Sequence, residues 1–367
     1  MKIILTGGGT GGHIYPALGV AEALRCENPE AELLFVGSRQ GPEGRIAQRA
    51  GLRFIGLPSR PFGQKLSIAN AAALLTLAGA LIRAILVLRR ERPDLVIGTG
   101  GYTSAAVVLA QGLRRKPTLI HEQNAVPGRT NLFLSRFADA VCVTYEESVD
   151  HFRRKNVRVT GLPIRREIAA PRDKADARVK LGLKPDLFTV LVYGGSQGAR
   201  GINKLTVAAV NLLQGQGIQI LHQTGARNYD DVKEIAPSDA DFYHIVGYID
   251  EPEVAYWAAD LILCRSGAST LAELCAVGLP AILVPYPYAY ADHQMKNARV
   301  LEKRGAAVVV NEKTATGGEL ANHIAALHRD GERLRRMAAA SIGLAQPDAA
   351  LNVAKIAELL ISGGLRA

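Results

Sequence analysis

Three glycine-rich segments, and a few polar side chains near them, carry the chemistry available to this 367-residue chain. They read Gly7-Gly-Gly-Thr-Gly-Gly-His13, Gly98-Thr-Gly-Gly-Tyr-Thr-Ser104 and Gly194-Gly-Ser-Gln-Gly-Ala199. Each follows a short apolar run and opens a stretch that reads as helix. Glycine lets backbone approach a ligand closely, and the first N–H groups of a helix have no partner inside it, so such turns suit phosphate. Three of them imply several phosphate groups, or a donor and an acceptor that each carry a diphosphate. His13 closes the first turn at a helix N-terminus, where the positive helix end disfavours an imidazolium and so suits a general base; a helix cap or a phosphate contact is the plainer role.

Further polar residues sit where strands end. His121-Glu-Gln-Asn124 follows the apolar Thr118-Leu-Ile120, and four polar residues in a row at a buried strand end imply a ligand. Asn124 suits a sugar hydroxyl or acetamide, and Glu122 suits orienting His13. In Cys264-Arg-Ser-Gly-Ala-Ser-Thr-Leu-Ala-Glu273, the terminal carboxylate falls in the first turns of a helix. There it can accept both hydroxyls of a ribose, or merely complement the helix dipole. A proline- and tyrosine-rich loop from Val284 ends in Asp292-His-Gln294, polar groups suited to a sugar. Two patterns point elsewhere and carry less. The spacing of Gly7 to Gly12 fits a dinucleotide fingerprint, but Ser38-Arg39 stands where that site wants an acid. Asp239-Ala-Asp241 spells a metal-binding pair, yet it follows Pro237-Ser238 in a polar loop and reads as a solvated turn.

Strand-like runs alternate with helical stretches along the whole chain. They cover 2–6, 33–37, 94–98, 118–122 and 140–144 in the first half. In the second they cover 189–193, 218–222, 243–247, 261–264, 281–285 and 306–310. This alternation predicts an α/β protein with one parallel sheet per half and a seam near Gly161-Leu-Pro163. The expected domains are 1–163 and 164–345, with an amphipathic end, 346–367, positioned to close back onto the first domain. The four cysteines form no C-x-x-C pair and read as small apolar residues in a reducing compartment.

Charge is distributed unevenly. Residues 1–163 hold 21 Lys/Arg against 12 Asp/Glu, whereas 164–367 hold 23 against 22. A basic first half favours an anionic surface. Nucleic acid is the weaker partner, because aromatics are 5% and no nucleic-acid-binding signature is present. Leu66 to Leu88 is mostly apolar but contains Asn70, Thr76 and Arg83 and lies between two strands of one sheet, so it reads as a packed helix and not a membrane span. Its basic flanks suggest a reversible membrane contact through Phe62, Lys65, Leu74 and Leu75.

Gly-Gly-Thr-Gly-Gly-His13, Gly-Gly-Tyr-Thr-Ser104, His-Glu-Gln-Asn124, Gly-Gly-Ser-Gln-Gly-Ala199, Cys-Arg-Ser-Gly-Ala268 and Asp-His-Gln294 occur here in order. Together, over nearly the whole chain, they resemble the MurG family, the N-acetylglucosaminyltransferases that convert lipid I to lipid II in bacterial cell-wall synthesis. The resemblance implies a GT-B fold, two Rossmann-like domains whose parallel sheets face a deep interdomain cleft. It implies an inverting, metal-independent transfer of GlcNAc from UDP-GlcNAc to the 4-hydroxyl of the lipid I MurNAc, with no cofactor. A GT-B transferase acting on another lipid, such as diacylglycerol, is the alternative. The donor would bind the second domain, and the lipid-linked acceptor the first, at the cytoplasmic face of the inner membrane, alongside other cell-wall synthesis and division proteins. Position by position, the resemblance gives Thr10, Gly11, Gly12 and Asn124 to the donor sugar, and Arg165 and Ser196 to the UDP phosphates. Ile249 would meet uracil; Ala268, Ser269, Thr270, Leu271 and Ala272 would line the diphosphate; Glu273 would hold ribose and Gln294 the GlcNAc hydroxyls. The acceptor diphosphate falls to Gly9, Gly101, Tyr102, Thr103 and Ser104. His13, supported by Glu122 and Asn124, would take the acceptor proton. One departure is Gly161-Leu162-Pro163, where the family usually has Gly-Asn-Pro.

Overall fold

The protein is described by a computed structural model covering residues 1–60, 68–153, 156–195, 197–237 and 240–365, with the side chains of 68–74 also outside the description. The chain divides into two compact units, one of Met1–Arg165 with Asp348–Ala367 and the other of Arg166–Pro347.

Unit 1 is built on seven parallel strands, β1 (Lys2–Thr6), β2 (Glu32–Ser38), β3 (Arg53–Leu57), β4 (Leu95–Gly98), β5 (Thr118–Glu122), β6 (Ala140–Val143) and β7 (Val157–Val159). Their order is β3-β2-β1-β4-β5-β6-β7. Parallel strands are covered on both faces, and β1 shows how. Ile3 and Leu5 point to one core with Ile14, Ala17 and Val20 of helix α1 (Gly11–Glu27), and Ile4 points to the other. Helices α2 (Glu43–Arg49), α3 (Ile68–Glu91) and α4 (Tyr102–Leu113) follow. The second core takes Ala80, Ala84 and Leu88 from α3 and Ala106 and Val107 from α4. The last helix, Ala349–Ile361, belongs to unit 1 and adds Val353, Ala354, Ala357 and Leu360 to the α1 side.

Unit 2 repeats the plan with β8 (Phe188–Tyr193), β9 (Ile218–Gln223), β10 (Tyr243–Val246), β11 (Leu261–Cys264), β12 (Ala281–Leu283) and β13 (Ala307–Val309). The order is β10-β9-β8-β11-β12-β13, again all parallel. In both sheets the order reverses at the first strand, between β1 and β4 and between β8 and β11. Loops leaving the carboxyl ends of such a pair diverge to opposite faces and leave a crevice, the usual ligand site of this architecture. Every glycine-rich turn singled out in the sequence leaves one of these strands: Gly7–Gly12 after β1, Gly98–Ser104 at the end of β4, and Gly194–Gly198 after β8.

Three cysteines are buried and Cys26 is exposed. Cys142 lies inside β6, where burial pushes its thiol up to about 12, as expected of a thiol serving as an apolar side chain.

Candidate active site

In unit 1 the turns after β1 and β4 interlock. The N–H of Gly8 donates to the carbonyl of Gly100 at 3.2 Å, and a Cβ on Gly101 would lie 2.3 Å from the carbonyl oxygen of Gly8. Gly9, Gly100 and Gly101 have φ of +88°, +105° and +87°, which other residues adopt only under strain. Thr99 ties the two turns together: its hydroxyl donates to the His13 carbonyl at 2.6 Å. Thr10 is extended and exposed before α1, and no side chain caps the helix.

The Gly9 N–H is occupied by a residue that the sequence did not single out. Glu43 is fully buried, and its Oε1 accepts from Gly9 at 2.7 Å. Its Oε2 has no hydrogen-bond partner among the described residues. Glycines at 8, 37 and 41 leave room for this side chain; a Cβ on Gly41 would sit 1.8 Å from Oε2. In this conformation the Gly9 amide is therefore held internally and is not offered to a phosphate.

The His13 ring lies against Gly100, and its Nδ1 is 3.1 Å from Oε1 of Gln123. This corrects the expectation that Glu122 orients His13. Glu122 instead accepts from the backbone and side-chain amides of Asn124 at 2.9 and 3.1 Å, from Gly128 N–H at 3.1 Å and from Asn131 Nδ2 at 2.8 Å. Successive strand residues point to opposite faces, so His121 and Gln123 share a side that Glu122 does not. The carboxylate thus holds the Glu122–Asn131 loop, which places Asn124. Behind Gln123, His121 is fully buried; desolvation holds its imidazole down at about 4, against the hydrogen bond from Nε2 to the Gly161 carbonyl at 2.8 Å.

The residues expected to meet the acceptor diphosphate separate by exposure. Tyr102 is exposed, whereas Thr103 and Ser104 are buried. The Ser104 hydroxyl faces Gly98 and the Thr103 hydroxyl faces Gly8, so both side chains serve the packing of α4 on the turns. Arg165 stacks over the ring of Tyr15, 4.8 Å from its centroid. Leu162, where the family usually has asparagine, is buried.

In unit 2, Gly195, Gly198 and Gly225 have positive φ, and a Cβ on Gly198 would clash with the Thr224 carbonyl. The turns after β8 and β9 are therefore in contact. After β11, Gly267 precedes the helix Ala268–Val277, and no side chain caps it. Ala268, Ser269 and Thr270 form its first turn, with Ala272 partly exposed beyond them, while Leu271 is fully buried and has only backbone to offer. Glu273, almost buried, accepts from the hydroxyl of Tyr256 at 2.9 Å. Burial and this carboxylate push the Tyr256 phenol well above its ordinary range, so it stays a donor. Ser266 Oγ donates to the carbonyl of Gln294 at 2.8 Å, and Gln294 Oε1 accepts from Tyr286 N–H at 2.8 Å. These bonds bring the β11 turn and the tyrosine loop together. Ala291 and Asp292, at φ +49° and +56°, hold strained left-handed backbone just before Gln294. Ile249 is buried at the loop after β10. At the end of β9, Gln223 pairs with Tyr193 and Val246, and neither of its side-chain amide atoms has a hydrogen-bond partner among the described residues.

Ser196, Phe62, Lys65 and Asp239 lie outside the described residues, as does the side chain of Leu74. On α3, Leu75, Ile82 and Leu86 are 76, 62 and 59% exposed, a face opposite the buried Ala80, Ala84 and Leu88. Arg83, Arg89 and Arg90 are exposed on the same helix. Among the described residues, no helix is long and apolar enough to cross a membrane.

Two Rossmann-like units with glycine-rich turns at their strand-order reversals give the chain the GT-B fold. The chain matches the Glycosyltransferase family 28 N-terminal domain over residues 3–143 and the C-terminal domain of the same family over 189–358. It is 43% identical, over the full length of both chains, to the UDP-N-acetylglucosamine--N-acetylmuramyl-(pentapeptide) pyrophosphoryl-undecaprenol N-acetylglucosamine transferase of Desulforudis audaxviator. The enzyme of the same name from Halothermothrix orenii is also 43% identical, over 95% of each chain. The crystal structure of Acinetobacter baumannii MurG superposes with a TM-score of 0.75 at 29% identity, covering 97% of this chain and 99% of that one. The chain belongs to the MurG family.

Proposed function

We propose that this protein transfers GlcNAc from UDP-GlcNAc to the MurNAc 4-hydroxyl of undecaprenyl-pyrophosphoryl-MurNAc-pentapeptide, giving lipid II and UDP. One observation carries the reading: end-to-end 43% identity to transferases of that name, on a chain whose turns flank both strand-order reversals. The reaction is a single inverting displacement. The acceptor O–H breaks and its proton passes to Nε2 of His13. The oxygen forms a β bond to C1 of GlcNAc as the α bond to UDP breaks, its electron pair leaving on the diphosphate. Among the described residues Nε2 of His13 has no hydrogen-bond partner, whereas Nδ1 is engaged.

In unit 2, Glu273 holds the ribose with Tyr256 behind it, and the backbone of Ile249 meets uracil. The N–H groups at the start of the helix Ala268–Val277, with Ser196, stabilise the leaving diphosphate, and Gln294 holds the sugar. Arg165 adds positive charge to the UDP phosphates. In unit 1, Thr10, Gly11, Gly12 and Asn124 serve the donor sugar, and Gly101 and Tyr102 offer the accessible acceptor contacts. Backbone dipoles and Arg165 supply the charge stabilisation that a metal would otherwise give, so we expect turnover without added metal.

The exposed apolar face of α3 and its arginines support reversible attachment to an anionic membrane, with Leu75, Ile82 and Leu86 entering the headgroup region. Cell-wall synthesis and division proteins at the cytoplasmic face are the expected neighbours. A competition assay tests the acceptor. With labelled UDP-GlcNAc and equal amounts of a lipid I analogue and diacylglycerol, label should enter lipid I alone. Label in diacylglycerol would favour the other lipid transferase.

A further inference from the structure

We propose that Gln123 is a positioning residue that fixes the tautomer of His13, placing the proton on Nδ1 and leaving Nε2 as the nitrogen that receives the acceptor's proton. The inference deepens the proposed function and rests on its choice of His13 as the base.

Groups whose hydrogen-bonding role cannot change set the orientation of this amide. Backbone carbonyls only accept. Nε2 of Gln123 lies 2.8 Å from the Thr99 carbonyl and 3.0 Å from the His121 carbonyl, so this end of the amide is the NH2 end. His121 agrees. Its Nε2 faces the Gly161 carbonyl at 2.8 Å and must carry the proton, so its Nδ1 accepts, and Gln123 Nε2 approaches that atom at 3.3 Å. With its two N–H groups directed at the Thr99 and His121 carbonyls, Gln123 turns its oxygen toward His13. An amide oxygen only accepts, so Nδ1 of His13, 3.1 Å away, carries the hydrogen. In a neutral ring Nε2 then holds the lone pair.

Gln123 is 2% exposed, so it cannot exchange these partners for water. Backbone geometry fixes the ring as well: Thr99 holds the His13 carbonyl, and the ring edge rests on Gly100, where a Cβ would come within 2.9 Å of Nδ1 and Cε1. An amide in this role orients the imidazole without placing a second negative charge beside a diphosphate. Glutamine thus does here what a carboxylate does in the serine-protease triad.

Nitrogen NMR reads the tautomer directly and without turnover. In unliganded protein labelled with 15N-histidine, at alkaline pH, the His13 signal is assigned by its loss in His13→Ala. We expect a protonated Nδ1 and an unprotonated Nε2. In Gln123→Met, of similar size but without the amide, that pattern should give way to a mixture or to the Nε2–H form, and kcat should fall roughly 10- to 100-fold with the KM for UDP-GlcNAc little changed. A wild-type ring protonated on Nε2 would overturn the proposal without need of any variant, and so would a Gln123→Met ring that keeps Nδ1–H. A tautomer that follows residue 123 while kcat stays unchanged would sustain the role of Gln123 in setting the tautomer and overturn the choice of His13 as the base.

Discussion

Replacing Glu43 with alanine should weaken the acceptor side of the reaction. The carboxylate makes a 2.7 Å bond to Gly9 N–H in a fully buried setting. A charge-assisted bond of this kind contributes about 1.5–3 kcal/mol. Gly9 lies in the turn that precedes His13, at a φ of +88° that glycine adopts freely, so its own backbone does little to hold the turn in one conformation. If the lost energy is expressed as freedom of that turn, kcat/KM for the lipid acceptor should fall roughly 10- to 100-fold. The KM for UDP-GlcNAc, whose proposed uracil and ribose contacts lie in unit 2, should change less than the acceptor kcat/KM does. Glu43→Gln keeps an acceptor for Gly9 but loses the charge, and should retain about half of the free energy. The assay is initial-rate kinetics with each substrate varied in turn, alongside urea unfolding to separate lost stability from lost turnover. Acceptor kinetics within about two-fold of wild type in Glu43→Ala would refute the reasoning, as would a defect confined to the donor KM.

Other outcomes follow from the same structure. Tyr256→Phe removes the hydroxyl that donates to Glu273, so the KM for UDP-GlcNAc should rise roughly ten-fold with kcat nearly unchanged, as read from donor saturation curves. Ile82→Asp with Leu86→Asp should lower partition onto anionic vesicles by about ten-fold or more, since burying one such side chain contributes about 1.5–3 kcal/mol, while activity on a water-soluble acceptor analogue stays intact. Acid should destabilise both units. Burial holds His121 at about 4 and His222 at about 3, against an ordinary 6.5, so the unfolded chain binds these protons first and stability falls as pH drops below 6.5. By pH 4 each histidine should have cost its unit about 3 kcal/mol, visible as a falling urea midpoint between those values.

The sequence discloses the turns better than the contacts among them. Eleven strands stand out because buried parallel strands are continuous apolar runs; β3 and β7 do not. Both are edge strands, half-exposed and interrupted by Arg53, Gly56 or Arg158, so no apolar run marks them. The chemistry-bearing segments are visible for a related reason, since glycine and clustered polar residues at strand ends break the pattern around them. Partnerships within those segments are harder. His-Glu-Gln-Asn124 draws attention as a unit, but acid–base habit favours Glu122, whereas strand alternation from His121 puts Gln123 on the His13 side. Glu43 is hidden for another reason: a lone glutamate starting a short helix looks like a solvated dipole partner, and only the three-dimensional approach of Gly8, Gly37 and Gly41 reveals it as buried. Tyr256 and Glu273 meet from separate helices 17 residues apart, and no local spacing announces that.

The central claim is tested most directly by following labelled GlcNAc from UDP-GlcNAc onto a short-chain lipid I analogue in excess EDTA, with the linkage of the product determined. The expected product is a β-linked GlcNAc on the MurNAc 4-hydroxyl, formed at the same rate as without chelator. An absence of product both with EDTA and after Mg²⁺ is restored would contradict the assigned reaction; product only after Mg²⁺ is restored would contradict the metal-free stabilisation of the leaving diphosphate.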